Sequence, residues 1–347
     1  MSRYSLRHID IEANHRCNLA CRHCSARAGK ATGSRELSAQ DIKRILAGAV
    51  PLGLRKVGLT GGEPLYDVPK LEGVARFCVE ELDVPVHMHT NGALVREEHC
   101  TGGRVLTLFE SVSVTFLGGE AQTHDHMTRV KGSFDQALRG TKICAAAGLP
   151  LTCYYVPTHG TCAGFKNLTE DLYGIGVRRI RPLALAPSGR ARPIYGQTAP
   201  TPDEARRFED DLLEAAERLG MYVEGGYCTR LSMPRLSVLQ GHAKCMSGLN
   251  RVHINWKGDV FPCTAASGVT ELRLGNVGRN GGELGELWED SELLGLIRRL
   301  HNGGLPDCGR CPQDPKCRVG CLVNACGTMP DATRRLCPLV NSRRAGK

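Results

Sequence analysis

An alternating run from Arg7 to Glu12 leads straight into Cys17-Asn-Leu-Ala-Cys21-Arg-His-Cys24, and this junction of a short strand with a cysteine loop constrains the fold more than any other feature. Polar and apolar residues alternating at period two predict a strand with one buried face. Three cysteines in the loop that leaves it can hold three irons of a cubane cluster through thiolate bonds, leaving the fourth iron without a protein ligand. The competing reading of these residues alone is a zinc site or ordinary buried thiols.

A second motif, Thr60-Gly61-Gly62-Glu63-Pro64, closes what reads as the second strand. CxxxCxxC after a first strand, followed by GGEP at the end of a second, resembles the signature of the radical S-adenosylmethionine (SAM) enzymes. The resemblance implies a 4Fe–4S cluster on Cys17, Cys21 and Cys24 that chelates SAM and, once reduced, cleaves it to a 5′-deoxyadenosyl radical. It also implies an electron donor such as flavodoxin or ferredoxin. Gly61, Gly62 and Glu63 would meet the methionine amino group, Thr115 the ribose or carboxylate, and Arg129 the carboxylate. The chain departs from the family pattern at Leu117, where relatives often carry Asp, and at Ser25, where many carry an aromatic.

From Arg7 to about Pro187, strand and helix patterns alternate in units of roughly thirty residues, which predicts a parallel sheet with helices outside it. Strands are expected near 9–13, 56–59, 86–90, 111–116, 151–156 and 179–185, with helices near 39–49, 70–82, 134–147 and 164–173. The pattern is weakest around 96–108. Ser38 and Ser133 read as helix N-caps, Gly148 as a stop, and Thr201-Pro202-Asp203-Glu204 as the start of a charged helix to about Leu219. The fold class is therefore α/β, a partial (β/α)6 TIM-like barrel. The expected domains are a barrel over 1–190, a connecting helix region over 191–225 and a cysteine-rich domain over 226–347. Ligands in such sheets lie at the carboxyl ends of the strands, where Cys17 and Gly61 fall.

The second cysteine field runs Cys245, Gly258, Cys263, then Cys308-x2-Cys311-x5-Cys317-x3-Cys321 and Cys337. This spacing resembles the SPASM extension of radical SAM enzymes, which holds one or two auxiliary iron–sulfur clusters. The resemblance implies one cluster on Cys308, Cys311, Cys317 and Cys337 and another on Cys245, Cys263 and Cys321. The fourth site of the second would be Cys228, Cys326, a non-cysteine group or open to substrate. A pair of zinc sites is the competing account. Cys78, Cys100, Cys144 and Cys162 read as packing residues. Cys153 and Cys228 are candidate hydrogen-atom donors, the role a thiol plays in some radical SAM epimerases.

Seventeen cysteines in 347 residues with no export signal favour metal binding over disulfides, and a reducing, cytoplasmic setting. No apolar run approaches a membrane span. A net charge of +9, scattered and without interleaved aromatics, argues against nucleic acid. The chain enters its first strand almost at once, without the N-terminal recognition domain of many peptide-modifying relatives. The expected substrate is therefore a small molecule of secondary or antibiotic metabolism: a sugar, aminoglycoside, nucleoside or tetrapyrrole side chain. Dehydrogenation, epimerisation and decarboxylation all stay open. The alternative is a peptide maturase that makes a thioether or carbon–carbon crosslink with a separate recognition protein. A third reading, a non-catalytic metal scaffold, belongs to another class.

Overall fold

The computed structural model describes residues 4–30, 36–102, 104–225, 233–236, 245–278, 283–302 and 321–328. Ten strands form one sheet in the order β10-β9-β8-β1-β2-β3-β4-β5-β6-β7. The first six, β1 (His8–Glu12), β2 (Lys56–Thr60), β3 (Val86–Thr90), β4 (Ser111–Phe116), β5 (Leu151–Tyr155) and β6 (Arg179–Pro182), are those expected from the sequence. They pair in parallel with their sequence neighbours, and a two-residue β7 (Tyr222–Val223) extends the edge.

The far side of β1 is taken by β8 (Arg251–Ile254), also parallel. Two short antiparallel strands follow it, β9 (Asp259–Phe261) and β10 (Gly275–Asn276). The cysteine-rich region was expected to be mostly turns. Instead it adds three strands to the barrel's own sheet, so the two parts share a backbone hydrogen-bond ladder.

Helices cover one face: α1 (Ala39–Ala49), α2 (Val68–Arg76), α3 (Ala121–Thr128), α4 (Ser133–Ala146) and α5 (Phe165–Ile175). After them come a single turn α6 (Tyr195–Thr198), α7 (Pro202–Leu219), α8 (Leu284–Asp290), α9 (Glu292–His301) and α10 (Leu322–Thr328). Ile9 and Ile11 of β1, Val57 and Leu59 of β2, and Val112 and Val114 of β4 are buried in one apolar cluster with residues of α1, α2, α4, α5, α7, α8 and α9. Each such side chain contributes roughly 1.5–3 kcal/mol by leaving water. The alternate positions, Asp10, Glu12, His87, His89, Ser113, Thr115 and Tyr154, face the concave side.

Three local expectations change. Residues 96–108 hold two 3-10 turns, Glu97–His99 and Val105–Leu108, and no α-helix. Helix α3 had no strong apolar period to announce it. Ser133 is the first residue of α4 and not its cap: Gly132 occupies the cap position, and the Asp125 carboxylate accepts from Gly132 N, Phe134 N and Ser133 Oγ. Ser38 does cap α1, in a reciprocal pair with Asp41.

The start of α7 gives a pH-dependent test. The Glu204 carboxylate accepts from Gly160 N at 2.8 Å, Thr201 N at 2.8 Å and Thr201 Oγ1 at 3.0 Å, with His159 Nδ1 3.0 Å away. Burial alone would raise its pKa, but these bonds outweigh it and bring the carboxyl from 4.5 to about 2. A carboxyl depressed on folding adds stability above its unfolded value and loses it as pH falls toward the folded one. The stability gap between the native chain and Glu204→Gln, from denaturant melts, should be constant above about pH 5 and close between there and about pH 2. A gap unchanged down to that pH would contradict the assignment.

Candidate metal centre

The cysteine loop leaves the carboxyl end of β1 and is held on three sides. Cys17 N donates to Gly29 O at 2.9 Å, closing the loop on itself. Ala20 N and Arg22 N donate to the carbonyls of Thr128 and Met127, at the last turn of α3. On the third side, Arg190 Nε donates to Cys21 O at 2.7 Å, Arg190 Nη1 to Ala28 O at 2.8 Å, and the Arg190 amide to Cys24 O at 3.0 Å. Gly189, with φ near 51°, lies so close to the carbonyls of Cys24 and Ser25 that a Cβ there would overlap them.

Cys17 is buried, and Cys21 and Cys24 are half-buried. Burial pushes the Cys17 thiol up to about 12 and raises Cys21 and Cys24 as well. The thiols raise one another: Cys17 and Cys24 act on Cys21, and Cys24 acts on Cys17. Arg190 opposes this at Cys21 and Cys24. Three sulfurs this close cannot all ionise unless a cation joins them. Among the described residues, no three His, Cys, Asp or Glu converge on a single-ion site. Three cysteine thiols on one loop are the donor type that an iron–sulfur cluster takes, each thiolate bonding a different iron. The neighbouring His23 is driven down to about 4, first by burial and then by Arg190, so it stands neutral beside the thiols.

At Gly61 and Gly62 the missing side chains let the start of the loop pack against the main chain. Gly61, at φ 143°, faces Asn14, and a Cβ on Gly62 would overlap Arg16 O. The Gly62 and Glu63 amides then donate to Asn14 O at 2.9 Å and Arg16 O at 2.8 Å. Glu63 is fully buried, and its carboxylate accepts from Thr90 Oγ1 at 2.7 Å, Asn91 N at 2.8 Å and Leu65 N at 3.2 Å. In this structure the side chain ties the ends of β2 and β3 together. Asn91, which the sequence reading did not single out, donates to Asn18 Oδ1 at 2.9 Å and approaches Cys17 Sγ at 3.8 Å.

Thr115 is half-buried on the concave face, opposite Tyr154 of β5. Arg129 is exposed at the C-cap of α3 in left-handed backbone, φ 60°. Leu117 packs with Met127, Val156 and Leu185, an apolar contact where relatives were expected to place a polar one. Cys153 is corrected by the strand's alternation: it pairs with Val114 and Ile180 on the helix-facing side and sits in the apolar core. A thiol there is turned away from the concave face, so it is no hydrogen-atom donor to a substrate held on that side. Cys228 lies outside the described residues, as do Cys308, Cys311, Cys317 and Cys337.

A second group of thiols forms behind β9. Cys263 follows that strand, and burial first, then the neighbouring Cys321 and Cys245, push its thiol up to about 12. The structure thus brings Cys245, Cys263 and Cys321 together, the grouping implied by the family resemblance. Cys326, on α10, is buried in the apolar cluster that also holds Cys321. The loop after Cys263 reaches β1: Thr264 Oγ1 donates to Asp10 at 3.2 Å and Ser267 Oγ to Glu12 at 3.3 Å. Alternation in β1 could have flagged Asp10 and Glu12. Nothing local flags Arg190.

Residues 11–171 match the family described as the radical SAM superfamily, and residues 245–312 match SPASM, an iron–sulfur cluster-binding domain. The chain is 30% identical over 316 residues to mycofactocin maturase MftC of Mycobacterium tuberculosis, spanning 90% of this chain and 77% of the relative. It is 26% identical over 294 residues to the PqqA peptide cyclase of Rhodopseudomonas palustris, 83% of this chain and 74% of the relative. Among solved structures, SuiB of Streptococcus suis bound to S-adenosylmethionine superposes with a TM-score of 0.70 at 19% identity, over 92% of this chain and 74% of that one.

Arg190 supplies both a backbone clamp and a positive charge to the thiols. Arg190→Gln should lower iron affinity by about tenfold, as second-sphere losses do at metal sites, read as iron retained against a chelator after anaerobic reconstitution. Iron retention equal to the native chain would remove Arg190 from the centre.

Proposed function

The chain belongs to the radical SAM superfamily and carries a SPASM iron–sulfur module, and on that premise we propose that it is a peptide-modifying maturase. The observation that carries the enzymatic reading is the three-thiol loop seated under Gly61–Gly62 at the open end of a parallel sheet. Cys17, Cys21 and Cys24 would hold a 4Fe–4S cluster, and Cys245, Cys263 and Cys321 three irons of an auxiliary one. The loaded centre supplies SAM binding and its reductive cleavage to a radical that takes hydrogen from a substrate carbon.

This chain's residues supply position and dryness. Asn91 approaches the Cys17 sulfur, Arg190 offsets the charge of Cys21 and Cys24, and Gly61–Gly62 fix the height of the loop over the sheet. The concave face below, with Thr115, Tyr154 and His89, would receive the substrate, shielded from water by the sheet and by the loop after Cys263.

A peptide substrate is supported by the relatives named a maturase and a peptide cyclase, each covered over about three quarters of its length. That support outweighs the expectation of a small secondary metabolite, which the names of these relatives do not favour. A separate recognition protein would then present the peptide, and a flavodoxin or ferredoxin would supply electrons.

Anaerobically reconstituted protein given dithionite and SAM should release 5′-deoxyadenosine, and the Cys17→Ala/Cys21→Ala/Cys24→Ala chain should release none. A candidate precursor peptide encoded beside the gene should then change mass. Iron-loaded protein that leaves SAM intact would overturn the enzymatic reading. Turnover of a sugar or nucleoside, with the peptide untouched, would overturn the peptide one.

A further inference from the structure

The concave wall holds a side-chain pair that the centre above does not use. Asp10 of β1 and His89 of β3 lie on strands separated by β2, yet His89 Nε2 stands 3.9 Å from Asp10 Oδ1. They meet because the intervening concave position on β2 is Gly58. A Cβ there would overlap Asp10 Oδ1 and press on His89 Nε2. Asp10 is itself held in place: His8 Nε2 lies 3.0 Å from Oδ1, and Thr264 Oγ1 donates to Oδ2 at 3.2 Å. Burial opposes its ionisation, but His8, then His89 and Arg251, hold its carboxyl far below the usual range.

At 3.9 Å the Asp10 carboxylate is beyond hydrogen-bond length of Nε2, and its charge acts through space, favouring the tautomer with the proton on that nitrogen and the lone pair on Nδ1. Among the described residues His89 Nδ1 is buried and has no hydrogen-bond partner. The Nε of Arg181, on β6, is in the same condition, while its Nη1 pairs with Glu224 at 2.9 Å. Tyr154 joins the two: its ring centre is 5.2 Å from that of His89 and 5.6 Å from the Arg181 guanidinium. One wall therefore presents an unused acceptor, an unused donor and an aromatic face between them. A buried polar atom left without a partner is costly.

We infer that His89, oriented by Asp10 across the Gly58 gap, is a substrate-contacting residue that accepts a hydrogen bond from a hydroxyl group, with Tyr154 and Arg181 completing the pocket. A hydroxyl suits the unused acceptor, because it can donate to Nδ1 and, being neutral, sets no charge against Asp10. A carboxylate could use Arg181 but would set its charge against the His89 lone pair and Asp10. Burial first, and then Arg181, His8 and Lys56 against the pull of Asp10, bring the imidazole down to about 4. The ring is therefore neutral and able to accept across the physiological range. The inference rests on the concave face being the substrate site, as in the reading above.

Benzyl alcohol serves as the probe, titrated calorimetrically into cluster-loaded protein with SAM. It should bind at least about fivefold more tightly than benzyl methyl ether, which cannot donate, the size expected for one hydrogen bond. His89→Phe should erase that preference. His89→Gln, whose amide oxygen still accepts, should keep part of it. No binding, equal binding of alcohol and ether, tighter binding of benzoate, or a preference that survives His89→Phe would each overturn the inference. Deoxyadenosine release is scored on the same preparations. Protein that cleaves SAM yet shows no alcohol preference would therefore lose this pocket and keep the enzymatic reading.

Discussion

The centre depends on a backbone contact: residues 14–16 lie flat against Gly61 and Gly62, closer than any side chain would allow. Amides of Gly62 and Glu63 donate into that segment, so the loop hangs from the end of β2 by main-chain hydrogen bonds. Glu63 then bonds Thr90 and Asn91, which passes the constraint to β3, and Asn91 returns it to Cys17. Three thiols that repel one another when ionised need this external rigidity, because nothing in their own chemistry would hold them together before metal arrives.

A second constraint runs through β1. Its isoleucines enter the helix-side core, and its carboxylates enter the concave side, where each is met by the C-terminal module. Glu12 accepts from Trp256 N at 3.2 Å and stands 3.1 Å from His253 Nε2. Trp256 stacks on His15 at 4.2 Å, and His15 reaches Ala26 O inside the cysteine loop. Buried polar groups of this kind define one arrangement more than they add stability, since misplacing either partner strands the other. The auxiliary thiols and the first centre are thereby fixed to the same strand.

Much of this was legible in the sequence. The six strands, the caps at Ser38 and Thr201 and the cysteine spacings are local signals, written by period-two alternation, by side chains that satisfy nearby amides, and by ligand chemistry. What was misread involved partners distant in sequence or a choice of face. Ser133 looked like a cap because its residue type suits one, while Asp125 did the capping. Cys153 looked accessible because its strand borders the cavity, while alternation turned it to the core. The glycines of GGEP also carry a packing role, room for residues 14–16, that no local pattern shows.

The sequence by itself determined that a strand ends in three cysteines, that the first six strands run parallel, and that a second cysteine field follows, because each is encoded in local patterns. Only the tertiary structure decided that Arg190, far along the chain, clamps the loop, that β8 zips onto β1, and that Gly58 lets Asp10 meet His89. Those contacts join segments that no short-range pattern relates. They exist because the strand order sets segments far apart in the chain side by side.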